Sequence, residues 1–265
     1  MLRALLPLLV AALLATVAAS AEPVVVGHRG IMKYAPEETH ATFRACIALQ
    51  ISIELDVRRT RDGQLVCIHD DSVNRTTDGT GKVAELSLRE LRQLDAGKKF
   101  GAEFAGERVP TLEEVFALVR DRKATSILIA VDLKVPDCET DVVKLAEKYD
   151  VLKQLVFIGL TIEKSAVREK LLEANKGAQC AALCPAANEL DETIADKTCS
   201  WVYLRFIPSA DAVKRIHDAG KKVFLVGPLV AGNEPDNWSK GRAVGVDAIL
   251  TDHPLECRAG WRSKP

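Results

Sequence analysis

The 265-residue chain has no surplus of either charge: 36 Lys and Arg stand against 37 Asp and Glu, a formal net charge of −1. Without a basic excess it has no general electrostatic hold on a polyanion, which argues against nucleic acid as a partner. Aromatic residues make up only 5%, and Trp201, Trp238 and Trp261 are too scattered to stack bases. There is no low-complexity linker, no internal repeat and no collagen-like period. The seven cysteines are too few for a disulfide-built miniature scaffold. No second pair completes Cys180 and Cys184 into a tetrahedral metal site. An odd count leaves at least one free thiol; most are expected to be small buried apolar groups, with at most one or two disulfides.

What the chain does have is 48% hydrophobic residues over a length that buries a large core. Met1–Ala21 carries Arg3, then an apolar run, and ends in Ala19-Ser20-Ala21. It reads as a secretory signal peptide with residues 22–265 as the mature chain, exported to the periplasm or the exterior. The run from Ala4 to Ala19 is shorter than the roughly 20 residues that span a bilayer, so no stable membrane insertion of the mature chain is expected.

From Val24 onward, short apolar runs alternate with amphipathic stretches. Strands are predicted at Val24–Gly27, Ser52–Val57, Leu65–His69, Ile127–Leu133, Leu155–Leu160, Ala178–Leu183, Trp201–Phe206, Val223–Val226 and Val246–Leu250. Helices are predicted at Thr39–Leu49, Thr111–Val119, Thr140–Lys148, Ile162–Ala174, Ala210–Ala219 and Asn237–Ala243. Asp62-Gly63 marks a hairpin, so the Leu65–His69 strand should run antiparallel to the one before it. Setting it aside leaves eight βα strands, the number that closes a (β/α)₈ TIM barrel. Residues 58–110 then form a small insertion between the second strand and its helix.

The chemistry-bearing residues cluster at strand ends. Glu54 and Asp56 are two apart and share one face of their strand, leaving Ile53, Leu55 and Val57 for packing. Asp132 and Lys134 repeat the arrangement. Like charges held together call for a cation, and a hard divalent ion suits carboxylate oxygens. His28-Arg29-Gly30 follows the first strand, and His69 ends another. Arginine matches phosphate oxygens, and two histidines can share acid–base work, so the set suggests metal-assisted phosphoryl chemistry. His40, His217 and His253 read as surface or turn residues.

His28-Arg29-Gly30 followed after five residues by Pro36-Glu37-Glu38-Thr39 resembles the opening motif of the glycerophosphodiester phosphodiesterase family. Glu54-x-Asp56, His69-Asp70, Asn74-Arg75-Thr76-Thr77-Asp78-Gly79, Val109-Pro110-Thr111-Leu112-Glu113-Glu114 and Gly245–Pro254 resemble its later motifs, in order. The resemblance implies that Glu54, Asp56 and Asp132 hold one Ca²⁺ or Mg²⁺, that Arg29 and Lys134 neutralise the phosphate, and that His28 and His69 are acid and base. Glu37 and Glu38 would support the site. It implies hydrolysis of small glycerophosphodiesters to glycerol 3-phosphate and an alcohol. The family usually has Asn where Glu38 stands and Glu where Asp132 stands. Its Trp motif near the seventh strand is replaced by Phe224-Leu225-Val226-Gly227-Pro228-Leu229. Two rival readings are a lipid-directed phospholipase of the same barrel group (sphingomyelinase- or lysophospholipase D-like) and a non-catalytic phosphodiester-binding protein. The polar insertion, with Asp78, Lys82, Glu85, Arg89 and Glu90, argues against the lipid-directed one.

Overall fold

The computed structural model describes residues 22–226 and 234–262. The leader at 1–21 and Gly227-Pro228-Leu229 lie outside the described residues. Eight parallel strands run in the order β5 (Leu155–Gly159), β4 (Ile129–Leu133), β2 (Ser52–Arg59), β1 (Val24–Gly27), β9 (Ala248–Thr251), β8 (Lys222–Leu225), β7 (Trp201–Leu204) and β6 (Ala181–Cys184). The two ends of this path meet at a single bridge, Phe157 to Cys180, with the Phe157 N–H donating to the Gln179 carbonyl at 2.8 Å. The result is a nearly closed TIM barrel, as the alternation of strand and helix patterns implies.

Side chains alternate across each strand, so the barrel has an inner and an outer surface. Val26, Ala130, Val156, Trp201, Phe224 and Leu250 belong to the packed interior. Phe224 meets Trp201 and Tyr203 edge-on, at centroid separations of 6.0 and 5.6 Å. Ile53, Leu55, Val57, Ile129, Val131 and Leu133 face outward into the core shared with helices α1 (His40–Ala48) and α3 (Leu112–Asp121). By the same period, Glu54, Asp56 and Asp132 share the inner face with Ala130. Their burial is a direct consequence of strand alternation.

Helix α3 shows how local sequence sets an element. Thr111 and Glu114 form a reciprocal capping box at its start. Leu112, Val115, Phe116 and Val119 are buried at helical spacing. Helix α9 (Pro235–Val244) starts with Pro at its first position and stops at Gly245, whose φ of +83° suits glycine. No helix among the described residues is long and apolar enough to cross a membrane.

Strand β3 (Leu65–Cys67) pairs antiparallel with β2 in the register Val57 to Cys67. Gly63, at φ +83°, makes the turn between them. The Ile68 N–H then donates to the Asp56 carbonyl at 3.0 Å, which brings His69 back to the level of the barrel's carboxylates. The segment up to α3 carries helix α2 (Leu88–Leu91) and a small core of its own, including Val66, Ile68, Val73, Leu91 and Val109.

One helix expected at Ile162–Ala174 is two: α5 (Leu160–Glu163) and α6 (Ser165–Ala174), separated by an extended Lys164. The break is sustained because the buried Arg168 guanidinium donates to the Thr161 carbonyl at 2.7 Å, satisfying an end that would otherwise need another turn. Helices α4 (Glu139–Lys148) and α8 (Ala210–Asp218) follow the sequence pattern, whereas α7 (Leu190–Ala195) and α10 (Pro254–Arg262) do not emerge from it. All seven cysteines are free and buried.

Candidate active site

The C-terminal ends of β1, β2, β4 and β9 converge on one mouth. Asp56 and Asp132 are register partners on neighbouring strands. The Lys134 ammonium lies 2.9 Å from Asp56 Oδ1 and 2.8 Å from Asp132 Oδ2. Burial opposes its charge, but the two aspartates outweigh that, and its pKa is raised.

The loop after β1 is bent to reach the same place. Arg29 sits at φ +55° and Glu38 at φ +57°, a region costly for residues with a Cβ. Between them, a Cβ on Gly30 would stand 2.3 Å from Thr42 Oγ1, so only glycine fits. In this conformation the Arg29 N–H donates to Glu54 Oε2 at 2.7 Å, its Nη1 to Glu37 Oε1 at 3.2 Å, and its Nε lies 3.6 Å from Asp56 Oδ2. The Asp56 N–H donates to Glu38 Oε1 at 3.1 Å.

Glu38, Glu54 and Asp56 therefore form a buried acidic triad whose ligand atoms lie within 4.8 Å of one another. Of the three residues expected to hold a metal, Glu54 and Asp56 belong to this cluster together with Glu38, and Asp132 stands beside it with Oδ2 2.8 Å from the Lys134 ammonium. Glu38 Oε2, Asp132 Oδ1 and both Asp56 oxygens are buried without a hydrogen bond, although Lys134 and Arg29 approach Asp56 as ion pairs. Burial, then the neighbouring Asp56, pushes Glu54 up to about 8, and the same causes raise Glu38 and Asp132. Crowded carboxylates with open lone pairs fit a hard divalent cation.

Both expected histidines stand at this mouth, each with a carboxylate on Nδ1. His28 Nδ1 is 2.7 Å from Asp252 Oδ1, and His69 Nδ1 is 2.9 Å from Asp70 Oδ1. A carboxylate only accepts, so each Nδ1 carries a proton; Nε2 is then the position that holds a lone pair in the neutral ring and a second proton in the imidazolium. Burial disfavours the His28 cation, yet Glu54 and the Asp252 hydrogen bond overcome it, leaving its pKa raised. Asp252 and Asp70 were not assigned from sequence. Their signal was adjacency, Asp252 in the final-strand motif and Asp70 next to His69, but the pairing of Asp252 with His28 spans 224 positions. Glu37 does not join the acidic triad; it bridges Arg29 and Arg75. Two other histidines lie elsewhere, His40 with Nε2 3.7 Å from Glu114 and His217 paired with Asp247 at 2.8 Å, whereas His253 follows Asp252 at the end of β9.

Functional groups at the C-terminal mouth of a parallel (β/α)₈ barrel define a barrel enzyme. Comparison with known proteins narrows the class: the profile of the glycerophosphoryl diester phosphodiesterase family matches residues 28–256, and the chain belongs to that family. A Caldanaerobacter subterraneus protein named glycerophosphodiester phosphodiesterase is 34% identical over 239 residues, covering 87% of this chain and 94% of the relative. An Oleispira antarctica phosphodiesterase, solved with the product sn-glycerol-3-phosphate, superposes with a TM-score of 0.72 at 26% identity, covering 91% of this chain and 98% of that one. A glycerophosphodiester phosphodiesterase from Agrobacterium tumefaciens shares the fold, with a TM-score of 0.75 at 24% identity over 89% of this chain and 99% of its own.

Proposed function

We propose that the protein hydrolyses small glycerophosphodiesters to glycerol 3-phosphate and an alcohol, with His28 and His69 as the acid–base pair. The observation that carries this is the pairing of two Nδ1-anchored histidines with a buried acidic triad at one barrel mouth. Arg29 and Lys134 supply positive charge for the phosphate, arginine through a planar fork and lysine as a point charge. The Nε2 of one histidine takes the proton of the substrate's glycerol hydroxyl as that oxygen attacks phosphorus and closes a cyclic phosphate. The Nε2–H of the other delivers a proton to the departing alcohol oxygen. Water then opens the cyclic phosphate to glycerol 3-phosphate, with the two histidines exchanging roles. Asp252 and Asp70 hold the rings in the tautomer this exchange needs. Glu38, Glu54 and Asp56, with Asp132 adjacent, would hold one Ca²⁺ or Mg²⁺, which when bound withdraws charge from phosphoryl oxygens.

The test is a panel of glycerophosphodiesters assayed for glycerol 3-phosphate with Ca²⁺, with Mg²⁺ and with a chelator. Cation-dependent product release supports the reading; equal turnover in chelator would sink the metal part of it. Neither the lipid-directed nor the binding-only alternative is favoured, since the relatives named above are glycerophosphodiester phosphodiesterases. Export remains part of the proposal, resting on the pattern of residues 1–21, and N-terminal sequencing of protein recovered outside the cytoplasm tests it.

A further inference from the structure

Arg75 belongs to the turn after β3 and touches neither the acidic triad nor a histidine directly. Its guanidinium nevertheless makes four hydrogen bonds to two carboxylates of the site. Nε and Nη2 donate to Asp70 Oδ2 and Oδ1 at 2.7 and 3.0 Å. Nη1 and Nη2 donate to Glu37 Oε2 and Oε1 at 2.7 and 2.8 Å. Each carboxylate also holds one working residue: Asp70 accepts from His69 at 2.9 Å, and Glu37 accepts from Arg29 at 3.2 Å. We propose that Arg75 is a positioning residue, a two-sided clamp that sets His69 on the insertion and Arg29 on the β1 loop in a fixed mutual geometry.

The proposal rests on the hydrolytic reading above and adds a role that reading leaves unassigned. An exposed ion pair is ordinarily weak, because two flexible side chains must be ordered in water. Here the donors form two planar forks on one rigid group, which gives direction as well as charge. Lysine cannot reproduce this, since one ammonium cannot present two forks pointing apart. Asp70 is shifted downward, chiefly by its hydrogen bonds from Arg75. It therefore stays ionised, and accepts, over the whole neutral range. The clamp also spans chain segments 38 residues apart, so that Glu37 on the barrel and Asp70 on the insertion move together. A cavity of about 150 Å³ opens onto the pair between Met32, Lys99 and Phe100, leaving the guanidinium reachable from solvent.

The experiment compares the parent, Arg75→Ala, Arg75→Lys and, as a control outside the site, Arg61→Gln, on glycerophosphocholine with Ca²⁺ or Mg²⁺. Arg75→Ala is expected to lose roughly 10- to 100-fold in kcat/KM, as removal of an orienting partner does, while its Tm stays close to the parent's. Added guanidinium ion at sub-denaturing concentration should restore part of the kcat of Arg75→Ala, and Arg75→Lys should remain impaired. Combining Arg75→Ala with Asp70→Asn should cost less than the two losses multiplied, since both break one chain. The clamp is overturned if Arg75→Ala keeps activity within about twofold of the parent. It is equally overturned if activity falls only in step with Tm and guanidinium restores none of it. A parent that releases no glycerol 3-phosphate would instead overturn the hydrolytic reading, and the clamp with it.

Discussion

His28, at the exit of the first barrel strand, donates through Nδ1 to Asp252, at the exit of the last, across 2.7 Å. The two strands are hydrogen-bonded neighbours from Val24–Ala248 to Gly27–Thr251. The seam that joins the beginning of the barrel to its end is therefore also where an imidazole is oriented. Asp252→Asn keeps the size but lets the amide donate, so His28 can swap tautomer and lose the Nε2 lone pair. The expected outcome is a fall in kcat of roughly 10- to 100-fold with KM little changed. Steady-state kinetics on a glycerophosphodiester check it, and unchanged kcat would remove Asp252 from the mechanism.

His28→Ala and His69→Ala should each lower kcat by about 10²- to 10⁴-fold, the usual range for lost acid–base groups. Both side chains lie at the mouth rather than in the packed core, so the far-UV circular dichroism of the variants should match the parent. A double variant that retained parental turnover would refute the acid–base assignment.

Cation removal should couple stability to pH. Glu54 is raised from 4.5 to about 8 by burial and by Asp56, so without a cation the folded state binds more protons than the unfolded chain between these values. The Glu54 contribution to stability is full below 4.5 and is lost as the pH rises through about 8. A bound cation takes the proton's place and flattens that slope. Thermal melts of chelated protein should show Tm falling across the window, with Ca²⁺ or Mg²⁺ raising Tm most at its alkaline end. Glu54→Gln should reduce the slope in chelator, and an unchanged slope would exclude Glu54 as its source.

Gly159→Ala should damage the site from behind. The residue sits at φ +73°, and a Cβ there would lie 2.0 Å from Asp132 Oδ1. Asp132 must move, and its contact with Lys134 is disturbed. Backbone strain alone costs on the order of 1 kcal/mol, and displacement of Asp132 adds to it. The measurement is a denaturant melt beside a kcat/KM determination, both expected to fall; an unaffected kcat/KM would show that Asp132 tolerates the shift.

Much of this is legible in the sequence, for a physical reason. Strand alternation puts Glu54 with Asp56, and Asp132 with Lys134, on shared faces whatever the tertiary context. Asp62-Gly63 specifies a hairpin locally, so the antiparallel β3 and the return of His69 followed. Pairings between distant segments were not readable. Asp252 meets His28, and Arg75 meets Glu37, only because the barrel closes and the insertion folds back. Glu38 entered the acidic triad through a left-handed backbone angle that no side-chain period encodes. The break at Lys164 likewise depends on Arg168 reaching a carbonyl from the next helix. Helix α10 is not legible because its pattern begins directly at Pro254, inside a motif that reads as a turn.

The buried thiols have a consequence beyond packing. With Cys46, Cys67, Cys138, Cys180, Cys184, Cys199 and Cys257 all free and enclosed, no covalent crosslink holds the barrel, and its stability is indifferent to the ambient thiol–disulfide potential. Burial raises the Cys46, Cys138, Cys180 and Cys257 thiols to about 12, so the folded chain offers almost no thiolate. Alkylation must then wait for the barrel to open. Because the seven positions are spread from the first barrel helix to the last, the order in which they become labelled would chart which sector of the barrel opens first.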